Sequence, residues 1–170
     1  MSFDTIKVLN SGAVRRWGSC PRVGNKQTLA EHCWNMSVLL DGLYPTGELG
    51  VERIHYAIRY HDAGELDCGD LPYLFKVSNP ELVATHKELE EQALNRMGIF
   101  ISLSQEENYW LKMLDLFEAT IHMIKTNGRD ELNRADVQEQ LKYVFNLADK
   151  INYKLKDQVQ NLLGELMEDL

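Results

Sequence analysis

Long apolar runs and cysteine pairs are both missing from this 170-residue sequence. Its three cysteines, Cys20, Cys33 and Cys68, form no C-x-x-C pair, which argues against a disulfide framework and against a thiolate zinc site. No stretch approaches the roughly 18 to 20 apolar residues that span a bilayer, and the N-terminus lacks the basic-then-apolar layout of a signal peptide. We therefore expect reduced thiols, no membrane partner and a cytoplasmic location.

Positive charge is also scarce, since 18 Lys and Arg stand against 26 Asp and Glu and the net charge is −8. Proteins that bind nucleic-acid polymers or anionic membranes without specificity need a basic face that displaces counterions. We therefore expect neither partner, although a few local cations would suffice for a small anionic substrate. The chain is long enough for one well-buried domain, and we expect residues 1–170 to form it.

The pattern of apolar residues predicts an all-α fold. Apolar residues recur at spacings of three and four almost throughout, and no β-branched alternation is long enough for a strand. Capping boxes, in which a hydroxyl and a later glutamate exchange hydrogen bonds with main-chain N–H groups, mark helix starts at Thr28 and Ser104. The predicted helices cover 29–43, 51 to about 63, 80 to about 97 and 105–127, with one or two further helices after residue 133. A turn is predicted at 44–50 and an irregular, cation-rich loop at 15–27.

One short segment, AIRYHDAGELDCGDLP at residues 57–72, concentrates titratable groups directly after an apolar run. His61 and Asp62 are adjacent, and neighbours on a helix point about 100° apart, so both reach one point only beyond the helix end or in a gap between helices. Imidazole nitrogen and carboxylate oxygen suit zinc, iron, manganese or cobalt. Taken singly, His32 and Asp115 are more often a hydrogen-bonded buried histidine and a salt-bridged or partly exposed acid.

The order of these four residues along the chain resembles that of the HD superfamily of metal-dependent phosphohydrolases. YHDAGELDCGDLP is similar to the helix-end segment of the bacterial 5′-deoxynucleotidases of that superfamily, and Arg16-Trp17 ahead of His32 matches the Arg-Trp of the same enzymes. The similarity covers roughly residues 12 to 120. It implies an all-α HD-domain helical bundle of about six to eight helices.

The resemblance also implies an enzyme, a metal-dependent nucleotide phosphohydrolase, and it assigns roles residue by residue. A divalent transition metal, zinc, cobalt or manganese, would be held by His32, His61, Asp62 and Asp115. Glu65 corresponds to the catalytic glutamate that orients or deprotonates the attacking water, and Asp70 to the aspartate that assists the leaving 5′-oxygen. Asp67 either joins Glu65 in holding a second divalent cation or is a solvated loop acid.

A phosphate ester also needs fixed positive charge, which arginine supplies as a bidentate fork. Arg16 is the leading candidate through the Arg-Trp match, and Trp17 is either a core anchor or a face on which a base stacks. Arg22 and Lys76 are further predicted substrate contacts. The remaining candidate cations are Arg15, Lys26 and Lys87, and a plain surface position is the alternative for these three as well as for Arg22 and Lys76.

Two groups within the superfamily fit the motifs: 5′-deoxynucleotidases, which cleave deoxynucleoside monophosphates, and phage dATP triphosphohydrolases, which release triphosphate whole. Only 52 residues separate Asp62 from Asp115, which is similar to the compact phage enzymes, and Arg22 and Lys26 would suit a longer phosphate chain. We therefore favour a dNTP, and within it dATP, as the substrate. The implied biology is the exclusion of adenine from phage DNA, in the host cytoplasm.

Two alternatives stay open at this point. One is monophosphate hydrolysis, and the other is a non-catalytic helical scaffold or nucleotide sensor, against which the presence of Glu65 and Asp70 argues. The resemblance further implies a deoxynucleotide as the small-molecule partner and a homo-oligomer, either a dimer or a hexamer.

Overall fold

The computed structural model describes residues 2–18, 20–45, 50–71 and 73–169. Most of the predicted turn at 44–50 and the proline that ends the GDLP segment, Pro72, lie outside the described residues. The helices in chain order are α1 Thr5–Ser11, α2 Leu29–Leu43, α3 Val51–Tyr60, α4 Glu65–Cys68, α5 Tyr73–Ser78, α6 Pro80–Arg96, α7 Gln105–Asn127, α8 Ala135–Ile151 and α9 Tyr153–Glu168. A 3-10 turn, Arg129–Asn133, separates α7 from α8.

The predicted all-α fold is confirmed. Seven of the described helices have seven residues or more, which agrees with the expected six to eight, and the described residues contain no strand beyond one isolated bridge between Arg15 and Thr28. No described helix is both long enough and apolar enough to span a lipid bilayer.

Both predicted capping boxes form. The N–H of Glu31 donates to Thr28 Oγ1 at 3.2 Å, and the N–H of Thr28 donates to the Glu31 carboxylate at 2.7 Å. Ser104 and Glu107 make the same reciprocal pair at 3.3 Å and 2.6 Å. Because each box satisfies two main-chain donors that a helix start leaves open, α2 and α7 begin where the local sequence predicts.

Helix α3 ends earlier than predicted. It was expected to run to about Ala63, but it ends at Tyr60 and is followed by a turn over residues 61–64. The N–H of Ala63 donates to the carbonyl oxygen of Tyr60 at 3.1 Å, three residues back, so the backbone tightens to 3-10 spacing there. His61 and Asp62 therefore lie just beyond the helix rather than in its last turn.

The chain divides into two compact units. One comprises Met1–Trp34 with Tyr56–Ser102, and the other comprises Asn35–His55 with Leu103–Leu170. Helices α2 and α3 each run from one unit into the other. A single domain over the whole chain stays a prediction.

In the first unit a small apolar core lies around the residues that follow α6. Met97 and Ile99 are buried, at 0% and 1% exposure, and they pack with apolar side chains of α3 and the turn after it. At Gly64, a Cβ would lie only 2.7 Å from the carbonyl oxygen of Glu90. The turn that carries the candidate site therefore packs backbone against backbone on α6.

In the second unit α8 contacts both α7 and α9. Its buried positions recur at helical spacing, which gives it one apolar face: Val137, Leu141, Val144, Leu147 and Ala148. A polar contact adds to this packing, because Gln140 Nε2 donates to the carbonyl oxygen of Leu116 at 2.9 Å. Helix α7, which carries Asp115 in its middle, is thereby fixed within its own unit.

Candidate active site

Three of the predicted metal ligands converge within the first unit. His32, His61 and Asp62 each offer one ligand atom, and these atoms lie within 4.8 Å of one another. His32 is fully buried, and its ring centroid lies 5.7 Å from that of His61. Two imidazoles and a carboxylate form a donor set that divalent transition metals prefer.

The ring of His61 is oriented by its own helix. Nδ1 lies 3.0 Å from the carbonyl oxygen of Ile58, which can only accept, so Nδ1 carries the proton. In the neutral ring Nε2 then presents its lone pair, and Nε2 lies 3.2 Å from Oδ2 of Asp62. A cation shared by both groups makes that approach favourable, and a carbonyl that fixes the other ring nitrogen is typical of metal-binding histidines. The residues present therefore fit a metal.

Arg16 reaches the same carboxylate from the loop at 15–27. Its Nη1 donates to Oδ2 of Asp62, and both side chains are mostly buried, at 12% and 22% exposure. The main-chain N–H of Arg16 donates to the carbonyl oxygen of Gln27 at 2.8 Å, next to the bridge at Thr28. The loop is thus held against the start of α2, and the guanidinium orients Asp62.

Asp115, the fourth predicted ligand, belongs to the second unit. It lies in the middle of α7 at 17% exposure, and Lys112 Nζ donates to its Oδ2 at 3.0 Å. The salt bridge that the sequence left open therefore forms. The place of Asp115 in the ligand set stays a prediction from the motif.

Glu65, the first residue of α4, is a buried acid at 4% exposure. Among the described residues its Oε2 is one of few buried side-chain oxygens without a hydrogen-bond partner. Burial raises the pKa of Glu65 from 4.5 to about 8, with further contributions from the negative charges of Asp62 and Asp70. Arg16 and Lys76 lower the same pKa, so charged residues with predicted roles surround this carboxyl.

Asp70 is held by a main-chain donor. Its Oδ2 accepts a hydrogen bond from the N–H of Trp17 at 3.1 Å. Trp17 adopts φ 64°, and it is the one non-glycine residue with positive φ in the described part of the chain. Such a conformation costs about 1 kcal/mol or more, which the surrounding contacts must offset.

Asp67, a candidate for a second cation, and Lys26, a candidate substrate contact, both make other contacts. Oδ2 of Asp67 accepts from Lys7 Nζ at 2.8 Å and from Arg96 Nη2 at 2.9 Å, and these hydrogen bonds lower its pKa. Lys26 Nζ donates to the carbonyl oxygen of Cys20. Asp67 therefore connects α1, α4 and α6 instead of facing a second cation, and Lys26 stabilises its own loop.

The other candidate cations differ in their surroundings. Lys76 on α5 is half-buried and contributes positive charge at Glu65. Arg15 donates to the carbonyl oxygen of Lys26 at 2.8 Å, Arg22 is half-buried, and Lys87 is exposed. Lys76 is thus the lysine best placed for an anionic group beside Glu65.

A histidine and an acid that the sequence reasoning missed lie beside this site. His86 Nε2 is 3.1 Å from the carbonyl oxygen of Gly69, and Nδ1 is 3.1 Å from Glu90 Oε1. The pKa of Glu90 is raised above its ordinary value, chiefly by burial. The positive charge of His86 lowers it and the negative charge of Asp62 raises it, and both effects are smaller than that of burial. The spacing of His86 and Glu90, four residues apart on one helix, is the signal that could have found them.

Comparison with known families identifies the family of this chain. The model of a family described as 5′-deoxynucleotidase YfbR-like matches residues 3–156. The chain belongs to the YfbR-like family. The sequence-based assignment to the HD superfamily, on the side of the bacterial 5′-deoxynucleotidases, is therefore confirmed.

Curated relatives of this YfbR-like chain are named 5′-deoxynucleotidases. One from Pasteurella multocida (strain Pm70) is 34% identical over 47% of this chain and 44% of its own length. Another, from Yersinia pestis (strain Pestoides F), is 39% identical over 30% of this chain and 26% of its own length. The chain thus spans less than half the length of these relatives. No solved structure matches the chain.

Proposed function

We propose that this YfbR-like protein is a metal-dependent 5′-deoxynucleotidase, which converts a deoxynucleoside 5′-monophosphate and water to a deoxynucleoside and phosphate. The observation that carries the proposal is the convergence of His32, His61 and Asp62 in the unit that also buries Glu65. The family description and the names of the curated relatives supply the substrate class. This proposal replaces the dATP triphosphohydrolase that the sequence favoured.

Three observations weaken the arguments for a triphosphate substrate. Lys26 is tied to the carbonyl oxygen of Cys20, so one of the two loop cations expected to hold a longer phosphate chain has another role. The short interval between Asp62 and Asp115 does not discriminate, because the YfbR-like family model spans it within residues 3–156. Neither the family description nor the relatives' names mention a triphosphate.

In this proposal His32, His61, Asp62 and Asp115 hold one divalent ion, for which zinc, cobalt and manganese all suit the donors. The ion, when bound, polarises a phosphoryl oxygen and lowers the pKa of water. Arg16 keeps Asp62 oriented, and its positive charge beside Asp62 attracts the phosphate of the substrate.

Glu65 accepts the proton of the attacking water. Its carboxyl is buried, and its Oε2 has no hydrogen-bond partner among the described residues, so this oxygen can accept from the attacking water. Asp70, held by the N–H of Trp17, would give the proton of its protonated form to the leaving 5′-oxygen and regain one from solvent, while Glu65 releases the proton of the water, so protons balance over a turnover. Lys76 adds positive charge beside the phosphate, and the ring of Trp17 offers a face for the base or sugar.

Glu65 also argues against the hypothesis of a non-catalytic nucleotide sensor. A site that only binds nucleotide gains nothing from a buried carboxyl with an unused oxygen, and such a group costs stability. The role of Arg22, the cytoplasmic location and assembly into a dimer or hexamer stay predictions.

The test is orthophosphate release from dAMP, dGMP, dCMP and dTMP by the purified protein with zinc, cobalt or manganese. We expect release that chelation abolishes and that Asp62→Asn removes. His55→Gln is the matched control, because His55 pairs with Asp41 at 2.9 Å within the second unit. No orthophosphate from any of the four nucleotides with any of the three metals would refute the proposal.

A further inference from the structure

His86 joins α6 to the segment that carries Asp70. Its Nε2 lies 3.1 Å from the carbonyl oxygen of Gly69, and because that oxygen can only accept, Nε2 carries the proton and donates. Its Nδ1 lies 3.1 Å from Oε1 of Glu90, one helical turn further along α6. The imidazole therefore bridges a carboxyl on the helix and a main-chain carbonyl directly before Asp70.

The helical side of this bridge is rigid. The side chains of His86 and Glu90 are mostly buried, at 12% and 24% exposure. At Glu90 the backbone of α6 lies so close to Gly64 that a Cβ there would be 2.7 Å from the Glu90 carbonyl oxygen. A helix packed backbone against backbone is a fixed support from which His86 can hold a loop.

The other end of the bridge, at Gly69, lies in a short segment that little regular structure supports. Helix α4 has only four residues and ends at Gly69, which adopts φ 77°. A Cβ at Gly69 would meet no heavy atom within 4 Å, so the positive φ rather than crowding favours glycine here, and the N–H of Gly69 donates to the carbonyl oxygen of Glu65 at 2.7 Å. Because glycine moves freely between backbone conformations, rotation at Gly69 would swing Asp70.

We propose that His86, oriented by Glu90, is a positioning residue that fixes the Gly69 carbonyl and thereby directs Asp70 to the leaving 5′-oxygen. The proposal rests on the proposed function, because it assigns Asp70 the delivery of a proton in that reaction. Trp17 holds the carboxylate of Asp70 from one side, and His86 holds its backbone from the other. Proton delivery is sensitive to displacements of about 1 Å, so losing either contact slows turnover more than it weakens binding.

The experiment is a double-mutant cycle between His86 and Asp70 with dAMP as substrate. We expect His86→Ala to lower kcat about tenfold or more with KM and metal content nearly unchanged. In the Asp70→Asn background the same change should lower kcat by less than about twofold, because the group that His86 positions is already disabled. His86→Gln, whose amide N–H can replace the donor to Gly69, should recover part of kcat.

His55→Ala is the matched control, because His55 also pairs with a carboxylate, Asp41, at 2.9 Å. Equal losses of kcat in the wild-type and Asp70→Asn backgrounds would overturn the proposal, and so would an unchanged kcat in His86→Ala. If His86→Ala does not fold, Glu90→Gln, which removes the carboxylate that orients His86, takes its place in the cycle.

Hydrogen exchange separates this proposal from the proposed function. The amides of residues 69–71 should exchange faster in His86→Ala than in the wild-type protein, whatever the substrate proves to be. A wild-type protein that releases no orthophosphate from dAMP, dGMP, dCMP or dTMP would refute the proposed function, whereas unaltered exchange at these amides would refute the His86 contact itself.

Discussion

The main-chain N–H of Trp17 donates to Oδ2 of Asp70 at 3.1 Å, across 53 positions of sequence. The cation-rich loop at 15–27 and the segment that follows α4 are thereby fixed to each other within one unit. Trp17 keeps a left-handed backbone, φ 64°, to make this contact. The loop carries predicted substrate contacts and the segment after α4 carries the predicted catalytic residue Asp70, so this hydrogen bond sets their relative position.

Asp70→Asn and Asp70→Ala should separate the structural role of Asp70 from its chemical role. Asparagine keeps an oxygen that accepts from Trp17, so the free energy of unfolding should stay near the wild-type value, whereas alanine should lower it by about 1 kcal/mol. Both changes remove the proton for the leaving oxygen, so kcat with dAMP should fall by about 100-fold in each. Urea unfolding and steady-state kinetics check these values, and full kcat in Asp70→Asn would exclude the assigned role.

The metal-free protein should lose stability as the pH rises toward 8, because of Glu65. Its pKa is about 8 in the folded protein against an ordinary 4.5, chiefly through burial. A carboxyl with a raised pKa holds its proton more tightly in the folded than in the unfolded state. Its stabilising contribution is therefore complete below pH 4.5 and is lost as the pH rises through the folded pKa.

Urea unfolding of the metal-free protein at a series of pH values measures this effect. Between about pH 5 and about pH 8 we expect the free energy of unfolding to fall by an amount on the order of a few kcal/mol. Glu65→Gln carries no charge at any pH and should make the profile less steep, leaving the slope due to Glu90, whose pKa burial also raises. An equally steep profile in Glu65→Gln would assign the pH dependence to other groups.

His61→Gln should weaken metal binding more than tenfold, because it removes a predicted ligand nitrogen whose orientation the Ile58 carbonyl already fixes. Titration calorimetry with zinc, cobalt and manganese, together with metal content after dialysis, measures the loss. His55→Gln makes the same chemical change outside the ligand set and should leave both values unaltered. Equal metal content in the two variants would show that His61 is not a ligand.

Gly64→Ala should destabilise the protein, because its Cβ would meet the Glu90 carbonyl oxygen at 2.7 Å and force α4 and α6 apart. We expect a loss of about 1 to 3 kcal/mol. Gly164 lies within α9 with no heavy atom within 4 Å of an added Cβ, so Gly164→Ala should instead stabilise by about 0.5 to 1 kcal/mol. Thermal unfolding of the pair checks the opposite signs, and two changes of the same sign would contradict this packing.

Local sequence signals predicted the long helices well. Thr28 and Ser104 each carry their capping partner three residues ahead, so the starts of α2 and α7 follow from neighbouring residues alone. The short helix α4 was missed, because its place depends on contact with α6 at Gly64, which no local pattern records. Local patterns also do not record that the turn after Tyr60 packs on α6 at Gly64, so α3 was predicted to continue through His61.

The candidate site was likewise predicted only in part. The motif order brought His61 and Asp62 to attention, and the structure places their ligand atoms together. The partners of Asp67 and Lys26 could not be predicted, because Asp67 pairs with a lysine 60 positions away and Lys26 with a carbonyl of its own folded loop. Charge in the sequence shows which groups can pair, and only the fold shows which groups do.

The central claim, hydrolysis of deoxynucleoside monophosphates, is tested most directly by phosphorus NMR of the products formed from dAMP and from dATP. The wild-type protein with a divalent metal should release orthophosphate from dAMP, and Glu65→Gln should do so about 100-fold more slowly. Release of intact triphosphate from dATP, with dAMP left untouched, would contradict the account.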